Sequence, residues 1–212
     1  MTSGPTDPIY DSFAKETITQ PSHEKARAYG YSLANSVIDA FHAGEFHPSP
    51  EPKLNVSALE VELGIENFML SLGTLLGIID SDPKFNFKPP FVRYLSEVAF
   101  IELGDATITG IPGELYPEIA VGGIENPQGA DYTMAAQEIP HLRSQLPGKL
   151  NLMVNLANDA IGYIIPKSEW DNEAPWIYDE TDETYGEVVS LGPNTGPIIH
   201  QNIIKLIEDS KN

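Results

Sequence analysis

The stretch EVAFIELGDATITGIPGE, residues 97–114, decides the fold of this chain. Two apolar runs, Glu97 to Leu103 and Ala106 to Ile111, flank a Gly-Asp pair, and such a pair between two such runs is typical of a β-hairpin. The second run continues directly into Pro112-Gly113-Glu114. We therefore predict two antiparallel strands and, at the end of the second, a carboxylate that the sheet positions and a loop exposes.

A third predicted strand ends in the same way. Apolar residues alternate from Lys149 to Leu156, and the run leads into Asn158, Asp159, Gly162 and Tyr163. Polar residues that follow an apolar strand are often ligands or catalytic groups, because the strand fixes them and the loop exposes them. By itself, however, Pro-Gly-Glu is a common turn, so neither strand end identifies a function.

Helical spacing predicts two helices near the ends of the chain. Ser22 is the predicted N-cap of the first, in which apolar residues repeat from Ala26 to Phe41 before Gly44 ends the helix. Ile198 to Ile207 is predicted to form a short closing helix. Residues 1–21 are rich in Pro, Ser and Thr and are predicted to form an extended N-terminal arm.

The segments between these helices complete the predicted fold. Lys53 to Leu63 is predicted to be a strand with an irregularity near Ala58, where the alternation breaks. Phe68 to Ile79 fits either a helix or a buried strand, and in both cases we expect it in the core. Strands mixed with helices favour an α/β fold, a layered domain with a mixed β-sheet and flanking helices.

Composition limits the partners of the chain. Its 31 Asp and Glu against 12 Lys and Arg give a net charge of −19, which would repel nucleic acids and anionic membranes. The absence of cysteine excludes disulfides, Cys-ligated zinc and cysteine nucleophiles. Met1 to Tyr10 does not resemble a secretory signal, and no stretch approaches the ~18 apolar residues of a membrane span. The compartment stays unassigned.

Three segments, in order, resemble those of the neutral/alkaline (non-lysosomal) ceramidases. Gly110 to Glu114 is similar to their Pro-Gly-Glu segment. Leu156 to Tyr163 is similar to their Gly-Leu-small-Asn segment, in which four residues separate the Asn from a Tyr. Ser190 to Thr195 resembles their Ser-Thr-x-aromatic-Gly-Pro-x-Thr segment. The resemblance covers roughly residues 92–206 and points to the C-terminal part of the catalytic domain, of the microbial type.

The resemblance implies a zinc site. In that family two histidines, one glutamate and one tyrosine hold Zn²⁺, so Glu114 and Tyr163 would be metal ligands here. The metal would activate a water and polarise the amide carbonyl of an N-acyl lipid such as ceramide. Asn158 and Asp159 would lie behind the ligands and orient the loop that carries Tyr163.

The histidine ligands of that family lie upstream of the part that matches. None of the five histidines, His23, His42, His47, His141 and His200, forms a His-x-His pair or the i,i+4 pair that aligns two ligands on a helix. Two oxygen ligands fall short of the three protein ligands that a catalytic zinc site normally has.

The leading hypothesis is therefore a partial domain, over residues 22–207 with a tail at 208–212, whose zinc site is incomplete. Activity would need a partner chain that carries the N-terminal half with its two histidines, and no catalytic residue is assigned in this chain. One alternative is a non-catalytic binding or interaction module on the same scaffold. Another is a longer natural product that is fully enzymatic.

Overall fold

A computed structural model describes residues 8–12, 14–44, 52–79, 83–179 and 184–211. They belong to two compact units, residues 1–50 and 51–212, so the predicted boundary at residue 21 falls inside the first unit. Residues 1–7 and 13 of the predicted arm, and residue 212 of the predicted tail, lie outside the described residues.

The first unit is a short hairpin followed by a long helix. Its elements are β1 (Ile9–Asp11), β2 (Glu16–Ile18) and α1 (His23–His42). The Ser22 hydroxyl accepts a hydrogen bond from the Lys25 backbone N–H at 3.1 Å, which confirms the predicted N-cap. The apolar residues Leu33, Val37 and Phe41 of α1 are exposed.

The second unit contains a sheet, a small strand pair and four helices in its described part. In chain order its elements are β3 (Leu54–Gly64), α2 (Phe68–Leu75), β4 (Lys84–Phe85), β5 (Val92–Leu103), β6 (Ala106–Gly110), β7 (Glu114–Leu115), α3 (Pro117–Val121), β8 (Leu150–Val154), β9 (Tyr163–Ile164), α4 (Tyr185–Val188) and α5 (Thr195–Asp209).

The sheet is mixed, with the strand order β3-β5-β6-β8 and with β4 paired to the start of β5. β3, β5 and β6 are antiparallel, and Leu103 pairs with Ala106 across the predicted hairpin, which is therefore confirmed. β8 lies parallel to β6, and β7 and β9 form a separate parallel pair. The helices flank this sheet, so the predicted layered α/β fold is confirmed.

One face of the sheet, the core face, is covered by α5. Leu63 on β3 and Phe100 on β5 point to this face and are buried, and they join Ile199 and Ile203 of α5 in one hydrophobic cluster. In a two-layer domain, the apolar side of a helix packs on one face of the sheet and both surfaces are removed from water.

The opposite face, which we call the outer face, carries the other side chains of the same strands. Register places Val56, Ile101, Ile108 and Leu152 in one row across β3, β5, β6 and β8. Val56 is 59% exposed and Leu152 is 44% exposed. The outer face is thus apolar and open to solvent in the described part of the chain.

This outer face explains why one prediction was wrong. β3 pairs with β5 in unbroken register through Ser57, Ala58 and Leu59, so the predicted irregularity near Ala58 is absent. The alternation breaks in the sequence because the apolar residues change faces. Val56 lies on the outer face and Val61 on the core face, and the strand itself stays regular.

The expected core position of residues 68–79 was also wrong. Phe68 to Leu75 forms α2, begun by the Asn67 side chain, which accepts from the backbone N–H groups of Met69 and Leu70. Phe68 and Met69 are exposed, at 74% and 70%. The apolar run left a helix and a buried strand both open, and its burial depends on tertiary neighbours that the segment itself does not specify.

No helix within the described ranges is long and apolar enough to cross a membrane.

Candidate functional site

The candidate site lies beyond the carboxyl ends of the parallel strands β6 and β8. After β6 the chain passes through residues 111–113 into β7, and after β8 it passes through residues 155–162 into β9. β7 and β9 pair in parallel with Glu114 opposite Tyr163. The fold therefore brings together the two residues for which the family resemblance implies a role as oxygen ligands.

Glu114 and Tyr163 interact directly. The Tyr163 phenol lies next to the Glu114 carboxylate, which acts on the pKa of that phenol. Partial burial raises the pKa of the Tyr163 phenol, and the neighbouring Glu114 charge raises this pKa further. Glu114 itself is exposed, so its carboxylate is open to a ligand from solvent.

Two further tyrosines frame the Tyr163 ring. Its centroid lies 6.1 Å from that of Tyr116 and 5.8 Å from that of Tyr185, both in edge-to-face geometry. Burial, and then the charge of Glu187, raise the pKa of Tyr116 to about 12. Tyr116 and Tyr185 restrict the positions that the Tyr163 ring can take.

Backbone hydrogen bonds join the two loops that carry the site. The Ile161 N–H donates to the Pro112 carbonyl at 2.9 Å, and the Glu114 N–H donates to the Gly162 carbonyl at 2.9 Å. Gly162 has a φ of +86°, and a Cβ there would overlap the Val189 carbonyl oxygen. Only glycine suits both the conformation and the close approach.

Asn158 and Asp159 tie the second loop to β5. The Asp159 carboxylate accepts hydrogen bonds from the Tyr94 hydroxyl at 3.0 Å and the Ser96 hydroxyl at 2.9 Å, both on the core face. The Asn158 amide donates to Glu97, on the outer face, at 2.9 Å. These side-chain contacts hold the loop against β5, and the loop leads into Tyr163 at the start of β9.

The anchors on β5 were missed by sequence reasoning. Tyr94 and Ser96 are polar interruptions on an otherwise apolar strand face, which is a signal that a buried polar partner exists. The sequence could not name Asp159 as that partner, because the two segments are far apart along the chain.

Replacing Asp159 with Asn tests this anchor. We expect a loss of about 1–3 kcal/mol, because two hydroxyls lose a charged acceptor. Burial raises the pKa of Tyr94 first and the hydrogen bond to Asp159 raises it second, so the variant should lower that pKa. Chemical denaturation and NMR titration of the tyrosine ring carbons measure the two effects. An unchanged Tyr94 pKa would show that the hydrogen bond is absent in solution.

The two histidines of the second unit, His141 and His200, are not among the described partners of Glu114 and Tyr163. His23 and His42 belong to the first unit, and His47 lies outside the described residues. His200 is buried on α5, where its Nε2 lies 2.9 Å from the Pro140 carbonyl oxygen. Among the residues that the structure describes, no three His, Asp or Glu side chains are close enough to hold a metal. Glu114 and Tyr163 fit part of a zinc ligand set, since both are oxygen donors that Zn²⁺ accepts.

An apolar cleft of about 410 Å³ opens beside the second loop. Its walls include Ile65, Leu70 and Leu191, and Asp159 and Gly162 lie at its border. The cleft thus places apolar surface next to the residue that precedes Tyr163.

A buried carboxylate near Tyr116 is a second feature that sequence reasoning missed. Glu187 is 3% exposed and accepts hydrogen bonds from the Asp171 backbone N–H at 3.2 Å and from the Thr184 hydroxyl. Burial raises the pKa of Glu187, and the hydrogen bonds oppose that rise only in part.

The raised pKa of Glu187 predicts a pH dependence of stability. The native state keeps this proton to a higher pH than the unfolded state does. The protonated Glu187 carboxyl therefore contributes fully to the free energy of unfolding below the ordinary carboxyl pKa, and this contribution is lost as pH rises through the raised pKa. Glu187→Gln cannot ionise, so its free energy of unfolding should fall less than that of the wild type from pH 4 upward. Urea denaturation at several pH values checks this, and parallel curves would contradict it.

No protein-family model matches the chain, and no curated protein matches its sequence.

Proposed function

We propose that the second unit supplies part of the active site of a zinc-dependent amidohydrolase that resembles the neutral ceramidases, with Glu114 and Tyr163 as metal ligands. One observation carries the proposal. The two residues are distant in sequence, yet they are direct register partners in the β7–β9 pair, and the Glu114 charge raises the pKa of the Tyr163 phenol. Neither composition nor local pattern requires that pairing.

Each residue has a stated part in such a site. Zinc, when bound, would supply an activated water and polarise the carbonyl of an N-acyl amide. Glu114 offers an exposed carboxylate to a cation. The Tyr163 hydroxyl stays protonated beside the Glu114 carboxylate until a cation replaces that proton. Asp159 fixes the loop that positions Tyr163.

The remaining ligands would come from a partner chain. Two protein oxygens are fewer than the three ligands of a catalytic zinc site, so we propose that two histidines of a partner, or of a longer product, complete it. The apolar cleft beside the second loop supports an N-acyl lipid as substrate, because an acyl chain needs a wall of aliphatic side chains.

Zinc titration of the full chain tests the proposal. Calorimetry should detect weak binding that Glu114→Gln and Tyr163→Phe each remove, and the chain alone should not cleave N-acyl-sphingosine. Tight stoichiometric zinc together with unaided cleavage would contradict the incomplete site. Zinc binding that neither variant changes would contradict the ligand assignment.

The chain offers a matched control. Tyr178 donates a hydrogen bond to Glu125 at 2.7 Å, so it forms a second Glu–Tyr pair in the same unit. Glu125→Gln and Tyr178→Phe should leave zinc binding unchanged. Equal losses in both pairs would mean that zinc binds exposed Glu–Tyr pairs in general.

A non-catalytic interaction module is the second candidate, and the exposed apolar outer face is the observation that favours it. On this hypothesis Glu114→Ala and Tyr163→Phe leave every partner affinity unchanged. The mass and metal content of the species isolated from its own cells separates the three hypotheses. A zinc-containing heterodimer would indicate a site completed by a partner chain, and a longer chain would indicate a longer natural product. A metal-free species of this chain would indicate the interaction module.

A further inference from the structure

One half of the outer face is apolar across all four main strands. Besides the row from Val56 to Leu152, the register aligns Leu54 with Leu103, Ala106 and Leu150 in a second row. The side chains of Leu54, Leu103 and Leu150 are 67%, 47% and 58% exposed. A sheet face of this kind normally packs against another layer of structure, because exposed contiguous apolar surface raises the free energy of the folded state.

The charges of the same face nearly cancel, because Lys84 and Arg93 stand against Glu60, Glu62 and Glu97, which gives −1 out of the −19 of the chain. In this charged half of the face, Arg93 pairs with Glu62 at 3.2 Å and Lys84 with Glu60 at 4.0 Å. A copy of the chain that approaches through this face therefore brings few unpaired like charges into contact, whereas the rest of the chain carries the remaining −18.

We propose that the outer face is the interface of a homodimer, in which two copies pack sheet against sheet. Each copy would contribute one helix layer and one sheet layer, and the dimer would have the layer order α/β/β/α. Facing sheets pack about 10 Å apart, with the side chains of both inner faces interdigitated. A twofold axis between the sheets would place the outer face of each copy on that of its partner.

The size of the face suits this role. β3 and β5 share eleven register pairs, and β6 and β8 share five. At about 3.3 Å per residue and about 4.8 Å between strands, the outer face covers roughly 500 Å² in flat projection. Side chains make the accessible area larger than the projection, which brings it towards the about 800 Å² per partner of specific interfaces. The inference goes beyond the proposed function and does not depend on a metal at Glu114 and Tyr163.

The mass of the full chain in solution tests the proposal. Sedimentation velocity and light scattering over a concentration series should give twice the monomer mass of 23.2 kDa. Val56→Glu and Leu152→Glu should each raise the dimer dissociation constant about tenfold or more, because each buries a charge in the interface. Val121→Glu is the matched control, since Val121 is 53% exposed but lies on α3, and it should leave the dimer intact.

Spin labels provide a measurement that does not place a charge in the face. The chain has no cysteine, so one label can be placed at Val56→Cys and, in a second sample, at Lys205→Cys on α5. The distance between labels of two copies should be shorter for Val56, because Val56 lies on the face that pairs. Circular dichroism confirms that each variant is folded.

Three results would overturn the proposal. They are a monomer at every concentration, a dimer that both Val56→Glu and Leu152→Glu leave intact, and a shorter distance between Lys205 labels than between Val56 labels. A monomer would assign the outer face to a different polypeptide.

Discussion

Gly162→Ala is expected to lower the free energy of unfolding by about 3 kcal/mol or more. The backbone at Gly162 has a φ of +86°, where an alanine is strained. The added methyl would also overlap the carbonyl oxygen of Val189, a backbone atom that cannot rotate away. Both costs fall on the residue before Tyr163, so the same change should displace that tyrosine from Glu114.

Gly30→Ala is the matched control for this variant. Gly30 lies in α1, and a Cβ there would meet no atom within 4 Å. Alanine favours the helix over glycine, so we expect a small gain of up to about 1 kcal/mol. Thermal and urea denaturation measure both variants, and NMR of the tyrosine rings reports the position of Tyr163. A Gly162→Ala variant of wild-type stability would mean that the loop around residue 162 is not packed against Val189.

Phe100→Ala is expected to cost about 3–5 kcal/mol, through lost burial and the cavity that remains. Phe100 is 1% exposed and lies at the centre of the core face, under α5. Loss of this side chain leaves no neighbour able to fill the space without moving the helix, because protein interiors are close-packed.

Phe68→Ala makes the same chemical change in a different place. Phe68 is 74% exposed at the start of α2, so its removal should change the free energy of unfolding by about 0.5 kcal/mol or less. Chemical denaturation of the two variants compares them directly. Equal losses would restore the hypothesis that residues 68–79 belong to the core.

The comparison of Phe100 with Phe68 illustrates what the local sequence pattern can and cannot specify. The run from residue 68 to residue 79 is more apolar than many core segments, and its sequence is compatible with burial. Whether it is buried depends on what lies against it, and α2 stands at the surface of the described chain. A hydrophobic sequence therefore predicts an element more reliably than it predicts the environment of that element.

The features of the candidate site likewise divide into those that the sequence predicted and those that depend on tertiary contacts. Its proposed ligands were named through resemblance, and the strand ends that carry them were predicted from alternation and turn residues. That Glu114 and Tyr163 lie opposite each other follows from the parallel pairing of β7 with β9, which no local signal encodes. The link from Asp159 to β5 likewise depends on a contact between distant segments.

By itself the sequence determined the local elements of this protein. Ser22 begins a helix because its side chain meets an unpaired backbone N–H, and the Gly104-Asp105 pair reverses the chain between two apolar runs, since both effects act over a few residues. Tertiary structure alone decided which face of β3 is covered and which stays open. It also joined Glu114 to Tyr163, because burial and pairing depend on residues far apart in sequence that only the folded chain brings together.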